Sequence, residues 1–185
     1  MRQLINFWKD LVISGEKNIC EVPDKIRNDV INRLVDSGHI SEGDIDIVRS
    51  AKVAEMSLMC NKVIVDGFDI TLSDGETHHF SLEVSDQLKI SKLNDRAMAG
   101  ITTLPYHADG ESCRFYSAED VMAINTTMEN LIEFQVTYFN SLRDYINSLT
   151  DISTVCDVKY GDEIPTEYQS EVLKMLYSQA YAINN

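Results

Sequence analysis

The stretch GFDITLSDGETHHFSL, residues 67–82, decides the fold, because within it the apolar spacing changes from a helical period to a period of two. Phe68, Ile70 and Leu72, then Phe80, Leu82 and Val84, alternate with polar residues as the two arms of a hairpin would. The register follows from requiring both apolar sets to share one face. A two-residue Asp74-Gly75 loop sets Ile70 opposite His79 and fails. A three-residue Ser73-Asp74-Gly75 loop pairs Phe68 with Phe80, gives Gly75 the left-handed place of a bulged turn, and sends His78 inward and His79 outward.

The signature Asp-Gly-Glu, three residues, Phe occurs twice, at Asp74-Gly75-Glu76 to Phe80 and at Asp109-Gly110-Glu111 to Phe115. The second copy predicts another hairpin, Thr102 to Tyr116, around Ala108-Asp109-Gly110, with Gly110 as its turn residue. Between the hairpins, Ser85 is expected to cap a helix that carries Leu88 and Leu93 and ends at Gly100. After the second, Ser117 and Asp120 have capping-box spacing at the start of the longest regular element.

That element shows Val121, Ile124, Met128, Leu131, Gln135, Tyr138, Leu142, Tyr145 and Leu149 in alternating steps of three and four, a coiled-coil seam widened by Ile132, Phe139 and Ile146. Only Glu129, Glu133, Arg143 and Asp144 are charged over a helix about 40 Å long. The spacing suits an internal helix stack as well as an assembly. The sparse charge favours burial against neighbouring protein, with Tyr138, Phe139, Leu142 and Tyr145 as interface residues and Gln135 fixing register. Charging Leu142 to Asp is then expected to disperse the assembly.

Upstream, Leu4, Ile5, Trp8, Leu11 and Val12 predict a short helix stopped by Gly15. Pro23 opens a second, with Ile26, Val30, Ile31, Leu34 and Val35 on its face and Gly38 at its end. A third starts at Ser41, boxed with Asp44, and runs through Ile45, Val48, Met56, Met59, Cys60 and Val63 to Gly67. Residues 150–165 read as a polar connector, after which Thr166 and Gln169 cap a final amphipathic helix bearing Val172, Leu173, Leu176 and Tyr177. The fold class is α+β, mainly helical, with two short β-hairpins packed against a long helix of the C-terminal half, plus terminal helices. The expected domains are an N-terminal helical appendage (1–40), a hairpin and helix core (41–149), and a connector with a C-terminal helix (150–185).

With 185 residues, 30 acidic against 16 basic and a formal net charge of -14, the chain repels phosphates and anionic headgroups, which disfavours nucleic acid and membrane as partners. Cys20, Cys60, Cys113 and Cys156 are far apart and form no C-x-x-C pair, so they read as unpaired thiols of a reducing compartment. No secretory signal and no membrane-spanning run is evident, so a protein made in the cytosol and remaining soluble is expected.

The residues with reactive side chains gather at the hairpins: His78, His79, His107, Asp109 and Cys113. Their spacing matches no zinc pattern, and adjacent histidines on a strand face opposite ways. His78 reads as an interior histidine bonded to backbone, His79 as a surface residue and Asp109 as a turn former. Cys113 lies near His107 and Glu111 across the expected hairpin, yet no nucleophile elbow or helix start presents it. The paired carboxylates Asp44 and Asp46, and Glu119 and Asp120, complement helix starts. No catalytic residue, metal site or cofactor is expected.

The segment from Ile47 to Leu149 resembles a family: Arg49, Ala54 and Cys60 on a helix, a hairpin after Gly67, Asp86-Gln87-Leu88, Tyr106-His107-Ala108-Asp109-Gly110-Glu111, Ser117-Ala118-Glu119-Asp120 and a long last helix. It is similar to a domain of unknown function in proteins encoded in the tail and tail-fibre region of bacteriophages. The first forty residues, with Val22-Pro23-Asp24-Lys25-Ile26-Arg27, are similar in style to short phage tail proteins. Where the family has a tryptophan or another large residue near the second turn, this chain has Tyr106 and His107. The resemblance implies a non-enzymatic virion structural protein of the tail, baseplate or tail fibre, made in the bacterial host cytoplasm. Its partners would be copies of itself, a trimer suiting a fibre, and other tail or fibre proteins. A tail-fibre assembly chaperone or adaptor is the alternative, and a metal- or thiol-dependent enzyme the third reading.

Overall fold

In this computed structural model residues 1–40 and 44–183 are described, and among them lie seven α-helices and two antiparallel hairpins, the mainly helical α+β class expected. In chain order these are α1 (Arg2–Ile13), α2 (Asp24–Asp36), α3 (Ile45–Asp66), β1 (Phe68–Thr71), β2 (Thr77–Phe80), α4 (Val84–Met98), β3 (Thr103–Tyr106), β4 (Arg114–Ser117), α5 (Ala118–Ser148), α6 (Ile152–Asp157) and α7 (Glu171–Ile183). The chain divides into two compact units, neither contiguous in sequence: Met1–Ser57 with Asn140–Gln169, and Leu58–Phe139 with Ser170–Asn185. This partition differs from one drawn at residues 40 and 149, because α3 and α5 each contribute to both units.

In the first unit α1 and α2 pack together, and Val30 and Leu34 on α2 are buried with Ile5 and Ile26. The buried Arg27 guanidinium holds this unit's polar interior. It donates to the Val22 carbonyl at 3.2 Å and pairs with Asp24 and Asp157. Arg49 Nε donates to the Leu149 carbonyl at 2.8 Å, capping the C-terminal end of α5 with a cation, as the helix dipole favours.

Residues 150–165 are not a plain polar connector. Asp151 accepts from the Thr154 N–H at 2.8 Å and starts α6, whose Val155 and Cys156 are buried, as are Val158 and Ile164. Helix α6 packs on the 3-10 turn Ile19–Glu21, which brings Cys20 to a Cα–Cα distance of 4.8 Å from Cys156, and the two are disulfide-bonded. The expectation of four unpaired thiols is corrected here, and with it the inference of a reducing compartment drawn from them. Spacing cannot show such a pair, since its partners stand 136 residues apart. Cys60, buried, and Cys113, exposed, remain free.

The second unit holds both hairpins. Its core joins Phe80, Leu82, Ile90, Leu93, Leu104, Tyr106, Tyr116, Val121, Ile124 and Met128, with the Phe80 and Tyr106 rings stacked at 6.1 Å. The first hairpin has the expected register, Phe68 with Phe80 and Ile70 with His78, and its turn closes by Gly75 N–H to Leu72 O at 3.0 Å. The second does not follow its sequence twin. Leu104 pairs with Tyr116 and Tyr106 with Arg114, so pairing stops earlier and His107 does not face Glu111 across a ladder. The first hairpin centres on its Asp, Asp74, and the second on its Gly, Gly110. That offset of one residue reverses the faces. Phe80 is buried, whereas its counterpart Phe115 is 74% exposed.

Several helix starts also differ from expectation. Val84 is exposed and helical rather than a third inward strand residue, and Ser85 lies inside α4, whose N-cap is Glu83. Helix α4 buries Ile90, Leu93 and Ala97 and leaves Leu88 exposed. Thr166 opens only the 3-10 turn Thr166–Tyr168; Ser170 Oγ, accepting from the Leu173 N–H at 3.1 Å, caps α7. The expected cap at Ser41 lies outside the described residues.

The stripe on α5 is largely buried inside the chain's own fold. Val121, Ile124, Met128, Tyr138, Leu142 and Ile146 are buried, Leu131, Gln135, Phe139, Tyr145 and Leu149 partly so. Tyr145 packs against Tyr168 at 5.3 Å between ring centres, and Phe134 against Tyr138 and Tyr177. Sparse charge on this helix therefore does not by itself call for a covering neighbour. Uncharged Ala123, Thr126, Asn130, Asn140, Asn147 and Ser148 sit among the charged residues on the exposed face, so low charge does not mean low exposure.

Candidate functional site at the paired Asp-Gly-Glu turns

The two Asp-Gly-Glu turns meet in the second unit around His78, which sits at an inward position of β2 and is buried. Its Nδ1 lies 2.7 Å from Glu111 Oε1 of the second turn, and its Nε2 lies 3.0 Å from Asp74 Oδ2 of the first. Arg114 completes the cluster, with Nη1 2.8 Å from Asp74 Oδ2, Nη2 2.9 Å from His78 Nε2, and its guanidinium 4.5 Å above the Tyr116 ring. The turns are therefore joined to each other, which explains why each carries carboxylates. His78 was expected to bond to backbone; its partners are carboxylates.

One nitrogen cannot both donate to a carboxylate and accept from a guanidinium. With the ring protonated, Nδ1 donates to Glu111 and Nε2 to Asp74; with the ring neutral, the Nε2 lone pair can accept from Arg114. Glu111 chiefly, then Asp74, raise the His78 pKa above its ordinary value of 6.5, against burial and the charge on Arg114. Asp74 is held down to about 2 by the Glu76 backbone N–H first and by Arg114 next.

Asp109 also does more than form a turn. Its N–H donates to the His79 carbonyl at 2.9 Å, and its carboxylate accepts from the Ser81 N–H at 3.1 Å. His79 faces outward as expected, 2.7 Å from Asp69, whose carboxylate is the main cause of its raised pKa.

The capping box at Ser117 is present, and it reaches further than the sequence implied. Asp120 N–H donates to Ser117 Oγ at 3.0 Å, while the Asp120 carboxylate accepts from Ser117 Oγ at 2.8 Å and from the backbone N–H and hydroxyl of Ser73. Burial works against that carboxylate's charge, but the Ser73 N–H and the two hydroxyls outweigh it and keep its pKa low. The start of α5 is thus fastened to the first turn.

His107 stacks on Tyr106 at 5.4 Å, and Cys113 is exposed on the second loop. Among the described residues no three of His, Cys, Asp and Glu are placed to hold one metal ion. No described helix is long and apolar enough to cross a membrane. No family model, curated protein or solved structure matches this chain.

The cluster has a pH signature. His78 binds its proton more tightly folded than unfolded, so its stabilisation is complete below pH 6.5 and fades as pH rises through the raised value. Asp74 acts in the opposite sense, stabilising above pH 3.8 and losing this as pH falls towards 2. Thermal melts at a series of pH values are expected to show a midpoint that falls from neutral to mildly alkaline pH, with a shallower fall in His78→Gln. His79 titrates with the same sign, and His79→Gln apportions the remainder. Equal slopes in the parent and His78→Gln would remove the cluster from the account.

Proposed function

We propose that the chain is a non-catalytic structural protein of a bacteriophage tail, baseplate or tail fibre that assembles with copies of itself and docks neighbouring tail proteins. The observation that supports the reading is the engagement of the charged residues of both turns in a lock. His78, Asp74, Glu111 and Arg114 hold one another, and Asp109 and Asp120 hold backbone, so the hairpins are braced as a rigid support. The turn-and-cap pattern that resembles the phage domain, including Gly75, Gly110 and Ser117, falls on this same bracing.

A docking role is further supported by what remains uncovered. Leu88, Met98, Ile101 and Phe115 are exposed within one stretch of the second unit, with Met98 73% and Phe115 74% exposed. Large apolar side chains left exposed are available for contact with other protein. The α5 stripe, being inside the fold, is the less suitable surface.

The test is mass spectrometry of purified particles from the host that carries the gene, with light scattering on the isolated protein. Presence in particles and a mass in solution well above 21.0 kDa are expected. Absence from particles, with binding to a fibre subunit, would overturn the virion reading in favour of an assembly chaperone.

A further inference from the structure

The second unit carries an acidic excess, and half of its few cations lie along one face of α4. Between Leu58–Phe139 and Ser170–Asn185 the sequence holds fourteen acidic residues and only six basic ones, Lys62, Lys89, Lys92, Arg96, Arg114 and Lys174. Three of those six, Lys89, Lys92 and Arg96, line a single open groove of about 340 Å³ with Leu93, Pro105 and Tyr106. The spacing of 89, 92 and 96 puts them on adjacent turns of one helical face. Lys89 is paired with Asp86 at 3.0 Å; Lys92 and Arg96 form no ion pair among the described residues.

The opposite wall is apolar. Pro105 is exposed on β3 and pairs with Phe115 on β4, whose ring is also exposed. Tyr106 is anchored by its stack on Phe80, and burial, followed by the charges of Asp86 and Asp109, pushes its phenol up to about 12, so it stays neutral. The groove therefore offers two cations not held in ion pairs among the described residues, beside an apolar edge.

We propose that this groove binds an acidic linear segment of a neighbouring protein, with carboxylates on Lys92 and Arg96 and a leucine or aromatic side chain against Pro105 and Phe115. Charge complementarity selects this occupant. A long polyanion such as nucleic acid meets the repulsion of the whole chain at a net charge of -14. A short segment with a few carboxylates meets mainly the local cations, because charges beyond about 10 Å are screened in physiological salt. The inference rests on the docking reading above and names the partner's chemistry.

Fluorescence anisotropy with labelled Glu-Asp-Leu-Phe-Asp-Glu tests it, beside the amide twin Gln-Asn-Leu-Phe-Asn-Gln and a short oligothymidylate. Saturable, salt-sensitive binding of the acidic peptide is expected, weakened about tenfold by K92E/R96E. Lys25→Glu with Lys174→Glu, which makes the same charge change at exposed sites elsewhere, is expected to leave binding intact. Circular dichroism checks that each variant is folded. No saturable binding, equal weakening by both double variants, or tighter binding of the amide twin or oligothymidylate overturns the proposal. Such a result leaves the particle test untouched, so a protein present in virions yet blind to the acidic peptide refutes the groove alone.

Discussion

Gly67→Ala is expected to lower the stability of the protein by about 3 kcal/mol or more, the range of a forced backbone clash. Gly67 ends α3 at φ +80°, a conformation that costs an alanine about 1 kcal/mol or slightly more on its own. The larger cost is steric. A Cβ there would stand 1.9 Å from the Phe80 carbonyl oxygen, 2.7 Å from its carbon and 2.8 Å from Ser81 Cα, all backbone atoms with no rotamer to change. The backbone cannot readily withdraw, because Leu82 N–H donates to Val65 O at 3.0 Å and Phe80 is the centre of the aromatic stack. Urea denaturation is the measurement, with Gly75→Ala as the comparison. Gly75 has a similar φ of +82° but open space around it, so it is expected to lose only about 1 kcal/mol. Equal losses at the two positions would mean that the close approach at Gly67 is absent.

The contrast also shows what can be read from residues in order. The first hairpin's register was legible because Phe68, Ile70 and Phe80 satisfy only one loop length if they share a face. The second was misplaced for a physical reason. Its Asp-Gly-Glu looks identical, but the ladder stops at Tyr106 with Arg114, and the one-residue shift that turns Phe115 outward leaves no trace in composition.

Caps behave similarly. Ser117 with Asp120 was readable from spacing, whereas the reach of Asp120 to Ser73 depends on how the first hairpin meets α5. The same holds for His78: its inward direction follows from alternation, but its partners Asp74 and Glu111 lie on different turns. The Cys20–Cys156 bond, joining a 3-10 turn to a short helix hidden in a polar-looking stretch, was illegible from either end. Long-range closure, not local preference, accounts for these differences.

The α5 stripe poses the same question in its sharpest form, since periodicity shows that side chains are covered and not by whose atoms. Leu142→Asp separates the two answers. Leu142 and Ile146 are fully buried in the first unit, so an aspartate at 142 gives up about 2 to 3 kcal/mol of apolar burial and also places a carboxylate where it has no partner. The combined cost is expected to be about 4 kcal/mol or more, close to the whole stability of a chain at the low end of the usual range of about 5 to 15 kcal/mol. Circular dichroism with light scattering is expected to show loss of helix in Leu142→Asp rather than a smaller folded species. Val136→Asp supplies the control: Val136 is on the same helix but 43% exposed, and the change is expected to cost about 0.5 kcal/mol or less. A folded Leu142→Asp protein of lower mass would instead restore the stripe as an interface between copies.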